Sequence, residues 1–198
     1  MVTDVQGVER LRERDAQAFR SLIDRLQQPI TGYLHRLVGD REVALDLAQD
    51  TFVQVYKEID KTSGEIALDA WIYRIATNYG LRYLNRKRLR QFVRLDSSES
   101  FDESLAVAGP EDQTETRILI KQALGTMKPI DAAVLQLHYG NGFTYEEIGE
   151  VMEMSSEAVR KRVARSVEKF RRVYGKKLPS EKPQPNKSPI KVTTQGVE

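Results

Sequence analysis

Phe143–Arg172 reads FTYEEIGEVMEMSSEAVRKRVARSVEKFRR. Thr144 followed three residues later by Glu147 is a capping box, the start signal of a helix. Ile148, Val151 and Met152 give that helix an apolar face. Glu153-Met154-Ser155 then breaks the pattern, and Ser155 can cap a second helix. There Val159, Val163, Val167 and Phe170 recur at helical spacing. At about 100° per residue, Lys161, Arg165 and Arg172 project opposite the valine stripe, with Arg160 and Arg162 on its flanks. Gly149 lets the two helix backbones approach closely. Two short helices, a tight turn and a basic free face predict a helix-turn-helix. A plain helical hairpin with a solvated basic face has the same pattern, so the rest of the chain must decide.

Upstream, Val8, Leu11, Phe19, Leu22, Ile23 and Leu26 keep helical period, with Asp15 as a cap within the run. Gln28-Pro29 is read as a break, with Pro29 opening a new helix through Ile30, Tyr33, Leu34 and Leu37. Gly39 closes that helix and Asp40 caps the next, Arg41–Ile59. Its buried stripe is Val43, Ala44, Leu47, Ala48, Thr51, Phe52, Val55 and Ile59. Asp46, Gln49, Asp50 and Gln54 lie opposite, either as a solvated face or as an acidic docking surface. After a loop at Lys61–Glu65, a helix is expected from Leu68 to Arg90, with Trp71, Ile72, Ile75, Ala76, Tyr79, Tyr83 and Leu84 on its apolar side. Arg82, Arg86, Lys87, Arg88, Arg90 and Arg94 make its end basic, beyond what a helix dipole accounts for. Beside Trp71, Tyr73, Tyr79 and Tyr83, of which at most two are expected to be exposed, they suggest a nucleic-acid surface.

The sign flips after Leu95. From there to Thr116 the chain has seven acids and no Lys or Arg, with Ser, Gly109 and Pro110 among them. That is a flexible acidic linker. Helices follow near Glu111–Met127 and, after Lys128-Pro129, through Ile130, Ala133, Val134, Leu137 and Tyr139. Asn141-Gly142 turns into the opening stretch. Residues after Leu178 hold four prolines and several lysines without apolar period, the composition of a disordered tail. The expected fold is all-α. Two small helical domains, 1–94 and 113–176, flank a linker at 95–112, with a tail at 177–198.

The 198 residues suffice for one sizeable or two small cores, with 40% hydrophobic and 30% charged residues and net charge +2. With no cysteine, thiolate metal sites and cysteine nucleophiles are excluded. His35 and His138, far apart in sequence, point to packing or surface roles. Nothing resembles a P-loop, a catalytic triad or a metal site, so no enzyme and no cofactor are expected. No run approaches a membrane span, which predicts a cytoplasmic protein.

In this order the parts resemble a bacterial extracytoplasmic-function sigma factor of RNA polymerase. Three stretches carry the likeness: DREVALDLAQDTFVQVYKEI (Asp40–Ile59), DAWIYRIATNYGLRYLNRKRLR (Asp69–Arg90), and Met127–Arg172, which ends in the helix-turn-helix. The resemblance covers about residues 10 to 173. The resemblance implies a subunit that binds core polymerase and directs initiation at promoters with −10 and −35 elements. It implies that Asp46, Gln49 and Asp50, with Phe52 and Tyr56 beside them, contact the clamp helices of the largest subunit. It places Trp71, Arg74 and Asn78 in the family's W-x-x-R-x-x-x-N run at the −10 strand, with Arg82 and Arg86. The loop Ser63–Leu68, with Ser63 and Gly64, stands where a flipped base is captured. Ser156, Glu157, Arg160, Lys161, Ala164 and Arg165 stand at the −35 element. Ala158 departs from the family's frequent Thr and loses a hydroxyl able to touch a phosphate. Further implied partners are the flap of the second-largest subunit and an anti-sigma protein. The competing reading is a stand-alone helix-turn-helix regulator.

Overall fold

A computed structural model describes residues 5–62, 67–96 and 115–174. All regular structure among them is helical: α1 (Val5–Arg12), α2 (Ala16–Val38), α3 (Arg41–Glu58), a 3₁₀ turn (Ile59–Lys61), α4 (Leu68–Asp96), α5 (Glu115–Thr126), α6 (Pro129–Leu135), a π turn (Gln136–Gly140), α7 (Tyr145–Met152) and α8 (Ser156–Tyr174). The linker expected at 95–112 and the tail at 177–198 fall outside the described residues, except that Leu95 and Asp96 close α4.

The caps fall where the polar residues predict. Asp15 accepts from the amides of Gln17 and Ala18 at the start of α2. Gly39 ends it in the left-handed region, φ 81°, donating its N–H to the His35 carbonyl. Asp40 then caps α3 through the Val43 amide. Pro29 corrects the sequence reading, because it lies inside one continuous α2. A mid-helix proline removes a hydrogen bond and costs about 3 kcal/mol. Here Ile30, Tyr33 and Leu34, all at 0% exposure immediately after it, hold the helix together. Burying one such side chain contributes roughly 1.5–3 kcal/mol, so the stripe outweighs the proline.

The N-terminal bundle sets α2 along α3 and α4, with α1 against α2 and the 3₁₀ turn. Tyr33, fully buried, shares a 2.8 Å hydroxyl hydrogen bond with Thr77 of α4. The C-terminal bundle packs α5, α6 and α7 on α8. Its floor is charged: buried Asp131 of α6 takes Arg162 at 2.9 Å and Lys169 at 2.8 Å from α8. Arg162, a flank of the basic face in sequence, is thus a structural clamp. The expected packing of Val134, Leu137, Val159 and Val163 is complete. Tyr139 is the exception, projecting outward at 57% exposure from the π turn, which rotates it off the apolar period.

At the start of α7 the capping box at Thr144 and Glu147 is fully formed. Glu153 makes the turn at φ 54°, and the Ser155 hydroxyl caps the Ala158 amide at 3.2 Å. A Cβ on Gly149 would lie 2.6 Å from the Met154 carbonyl oxygen. Gly149→Ala is therefore expected to destabilise the protein by about 2 kcal/mol, because a backbone atom cannot swing aside. Urea denaturation should record a lower midpoint with an unchanged slope.

The two bundles are not held apart. α4 packs on α6 and α7, α2 touches the π turn, and the apolar core runs on from one bundle to the other.

Candidate nucleic-acid interface

Three surfaces carry the residues singled out in the sequence. The first is the outer face of α3. Asp46, Gln49 and Asp50 are exposed, opposite a stripe on which Ala44, Ala48, Thr51 and Val55 are buried. Phe52 is half-buried and packs on the core. Tyr56 is 45% exposed, meets Phe19 edge-on at 4.9 Å and lies under the Arg14 guanidinium at 4.9 Å. Leu45 and Val53, at 45% and 44% exposure, were missed by sequence reasoning. The spacing Leu45–Gln49–Val53–Tyr56 is the signal that could have found them, since it lines one helix face away from the buried stripe. The α3 surface is thus acidic and apolar together, and an ordinary solvated face has no use for the three apolar side chains.

The second surface is α4. Asn78, Arg82 and Arg86 are exposed and share the helix with Lys87 and Arg90, also exposed. The aromatic platform expected here is mostly packing. Tyr73 is 4% exposed, and Trp71, Tyr79 and Tyr83 are half-buried against the core. Arg88 donates to the Met127 carbonyl of the C-terminal bundle. Arg74 is half-buried and pairs with Glu153 of the α7–α8 turn at 3.0 Å. Ser63 and Gly64 lie outside the described residues.

The third surface is the start of α8. Glu157, Arg160, Lys161, Ala164 and Arg165 are exposed, and Ser156 is half-buried. Glu157 is ion-paired to both Arg160 and Lys161, the latter at 3.4 Å. Lys161's hydrogen bond, with Arg160's, holds the Glu157 carboxyl below its ordinary value. Arg165 donates to the Lys161 carbonyl at 3.2 Å. The face is a row of cations at helix spacing, open to solvent, able to meet phosphates and base edges in a major groove.

A fourth group, unforeseen in sequence, joins the bundles. Arg36 of α2 donates to Gln136 Oε1 at 3.1 Å and to Asn141 Oδ1 at 2.9 Å. Asn141 in turn donates to the Tyr73 hydroxyl at 3.0 Å. Burial pushes the Tyr73 phenol up to about 12. Tyr73 also meets Phe143 edge-on, ring centroids 4.7 Å apart. His138 packs, as expected: it stacks on Tyr145 and its Nδ1 lies 2.9 Å from the Phe143 carbonyl. Among the described residues no cluster of His or acidic side chains has the arrangement of a metal site, and no helix is long and apolar enough to cross a membrane.

Comparison with known proteins places these surfaces in a family. Residues 22–90 match the model of sigma-70 region 2, and residues 117–170 match sigma-70 region 4. The first covers α3 and the basic part of α4, the second the helix-turn-helix. The chain is 30% identical over 174 residues to the RNA polymerase sigma-H factor of Pseudomonas aeruginosa, covering 83% of this chain and 90% of that one. It is 28% identical over 176 residues to the ECF RNA polymerase sigma-E factor of Haemophilus influenzae, covering 84% and 93%. Among solved structures, CnrH bound to the cytosolic domain of CnrY superposes with a TM-score of 0.65 at 20% identity, over 87% of this chain and 97% of that one. The sigma factor RpoE of Bartonella quintana, in complex with the anti-sigma factor NepR, gives 0.62 at 21% identity over 79% and 96%. The chain belongs to the extracytoplasmic-function family of RNA polymerase sigma factors, the transcription initiation factors that direct polymerase to promoters.

Proposed function

We propose that this sigma factor divides its work among the three surfaces. The α3 face seats the protein on core polymerase, with Asp46, Gln49 and Asp50 meeting the clamp helices of the largest subunit and Phe52 and Tyr56 supplying apolar area. The C-terminal bundle rests on the flap of the second-largest subunit. On α4, Trp71, Arg74 and Asn78, with Arg82 and Arg86, take the unpaired −10 strand, while the loop at Ser63 and Gly64 receives a flipped base. Ser156, Glu157, Arg160, Lys161, Ala164 and Arg165 read the −35 duplex. With no fuel to spend, the protein opens DNA by trapping bases as they unstack, an expense of a few kcal/mol covered by stacking and phosphate contacts. It catalyses nothing itself and works in the cytoplasm, where polymerase and promoter are. An anti-sigma protein is a further partner, a reading that the capture of the Bartonella neighbour by one supports.

The observation that carries this division is the exposed α3 face, where acid and apolar side chains stand together opposite a buried stripe. A stand-alone DNA regulator has no use for it. Asp46→Ala with Gln49→Ala is expected to weaken binding to core polymerase at least about tenfold, mostly through faster dissociation, with the fold intact. Fluorescence anisotropy of labelled protein against core enzyme measures it, and an unchanged affinity removes the docking assignment.

A further inference from the structure

We propose that Arg12, Arg14 and Arg25 are positioning residues for −10 recognition, three cations from the N-terminal helices that fasten both chain ends between which the base-receiving loop is strung. The proposal rests on the reading above of Ser63 and Gly64 as the place of the flipped base.

Three long-range contacts converge on those ends. Arg25 of α2 forks onto Asp69, donating from Nη1 to Oδ2 and from Nη2 to Oδ1, both at 2.8 Å. Such a two-bond fork fixes orientation as well as distance. Asp69 is the second residue of α4, so the fork sets where that helix begins, two residues ahead of Trp71. On the other side, Arg14, in the turn between α1 and α2, donates to Asp60 Oδ2 at 2.7 Å. Its guanidinium is held in place over the Tyr56 ring. Arg12, the last residue of α1, donates through Nε to Thr62 Oγ1 at 3.2 Å. The Thr62 hydroxyl donates in turn to the Ile59 carbonyl at 2.6 Å, which closes the 3₁₀ turn. Val8 and Leu11, both buried, seat α1 on its neighbours, so Arg12 and Arg14 stand on a fixed base. Only Ser63–Ile66 separate Thr62 from Ala67. So short a connection takes its place from its ends.

Stability does not account for these arginines. The side chains of Arg14 and Asp60 are 43% and 35% exposed, and those of Arg25 and Asp69 45% and 25%. Ion pairs this open to water add little to a fold. Arg14 moreover takes φ 60°, where a residue with a Cβ is strained and glycine is not. A glycine would suit that turn better, so the arginine is of use for what it holds. What all three hold are groups bordering one segment. Asp60 lies three residues before Ser63, Thr62 adjoins it, and Asp69 lies three residues after Ile66.

A binding site works when its groups are kept within about half an ångström of the productive geometry. A loop whose ends drift adapts to several bases, whereas one whose ends are held fits one. The clasp therefore bears on discrimination between bases more than on affinity for the strand.

Selection by holoenzyme, assembled from the full-length protein and core polymerase, from a pool of randomised single-stranded DNA tests this. Wild-type protein should enrich one base at a position where the control variant, Ser63→Ala with Gly64→Val, no longer discriminates. Arg14→Gly should keep or raise the melting midpoint and yet lower that enrichment about three- to tenfold. A residue that served stability alone could not move the two readings apart. Arg25→Asp should also lower the enrichment, and Arg25→Asp combined with Asp69→Arg should restore most of it. Unchanged enrichment in Arg14→Gly and Arg25→Asp, while the control loses it, overturns the positioning role and leaves the base-capture reading standing. Unchanged enrichment at every position in the control as well overturns both.

Discussion

Asp131→Asn should cost the C-terminal bundle about 3 kcal/mol, because it leaves two cations facing an amide where a carboxylate held them. Asp131 is 5% exposed and joins α6 to two turns of α8, through Arg162 at 2.9 Å and Lys169 at 2.8 Å. Burial alone would push its carboxyl up, but the hydrogen bonds from Lys169 and Arg162 overcome this and hold it below the usual range. A depressed folded value stabilises the protein above the unfolded carboxylate value of about 4, and that stability is lost as pH falls through the folded value. The deficit of the variant should therefore be full at neutral pH and shrink in acid. Urea unfolding at several pH values measures it. Functionally, the variant should lose −35 dependence and the flap contact while keeping the part of its polymerase affinity that α3, in the other bundle, supplies.

Arg160→Ala and Arg165→Ala should each weaken use of a −35-dependent promoter by about 1–3 kcal/mol where a base is read. The two arginines are not equivalent. Arg160 is paired to Glu157 and is therefore already aimed toward the N-terminal end of α8, the end that enters a groove first. Arg165 bonds back to the Lys161 carbonyl and must swing free to reach DNA. A base-reading arginine relaxes preference at one position of the site. A phosphate contact weakens all sequences alike and lowers the salt slope by about 1. Transcription from a library of −35 variants at two salt concentrations separates the two roles.

What the sequence made legible was local. The capping box at Thr144, the turn at Ser155, the close approach at Gly149 and the stop at Gly39 depend on residues a few positions apart, so their residue types announce them. Pro29 misled for the converse reason. Its local preference for a helix start lost to a buried stripe on either side, which only the packed bundle supplies. α4 runs to Asp96, past the expected end at Arg90, and no breaker stands between. The basic face of α8 was readable from its period, yet the period could not tell Arg162, turned in to Asp131, from Arg160, turned out. Least legible was the join between bundles. Arg36, Tyr73, Asn141 and Glu153 lie far apart in sequence, and none carries a mark of its partner. The aromatic run on α4 read as a stacking platform because apolar spacing says that a ring faces something, and not what.

The central expectation is that this chain starts transcription by carrying core polymerase to promoters with two separated elements. Sequencing the 5′ ends of RNA made by core polymerase on genomic DNA, with and without the protein, tests that directly. The expected result is a set of start sites that appear only with the protein and share two upstream motifs at fixed spacing. Start sites indistinguishable from those of core enzyme alone would contradict it.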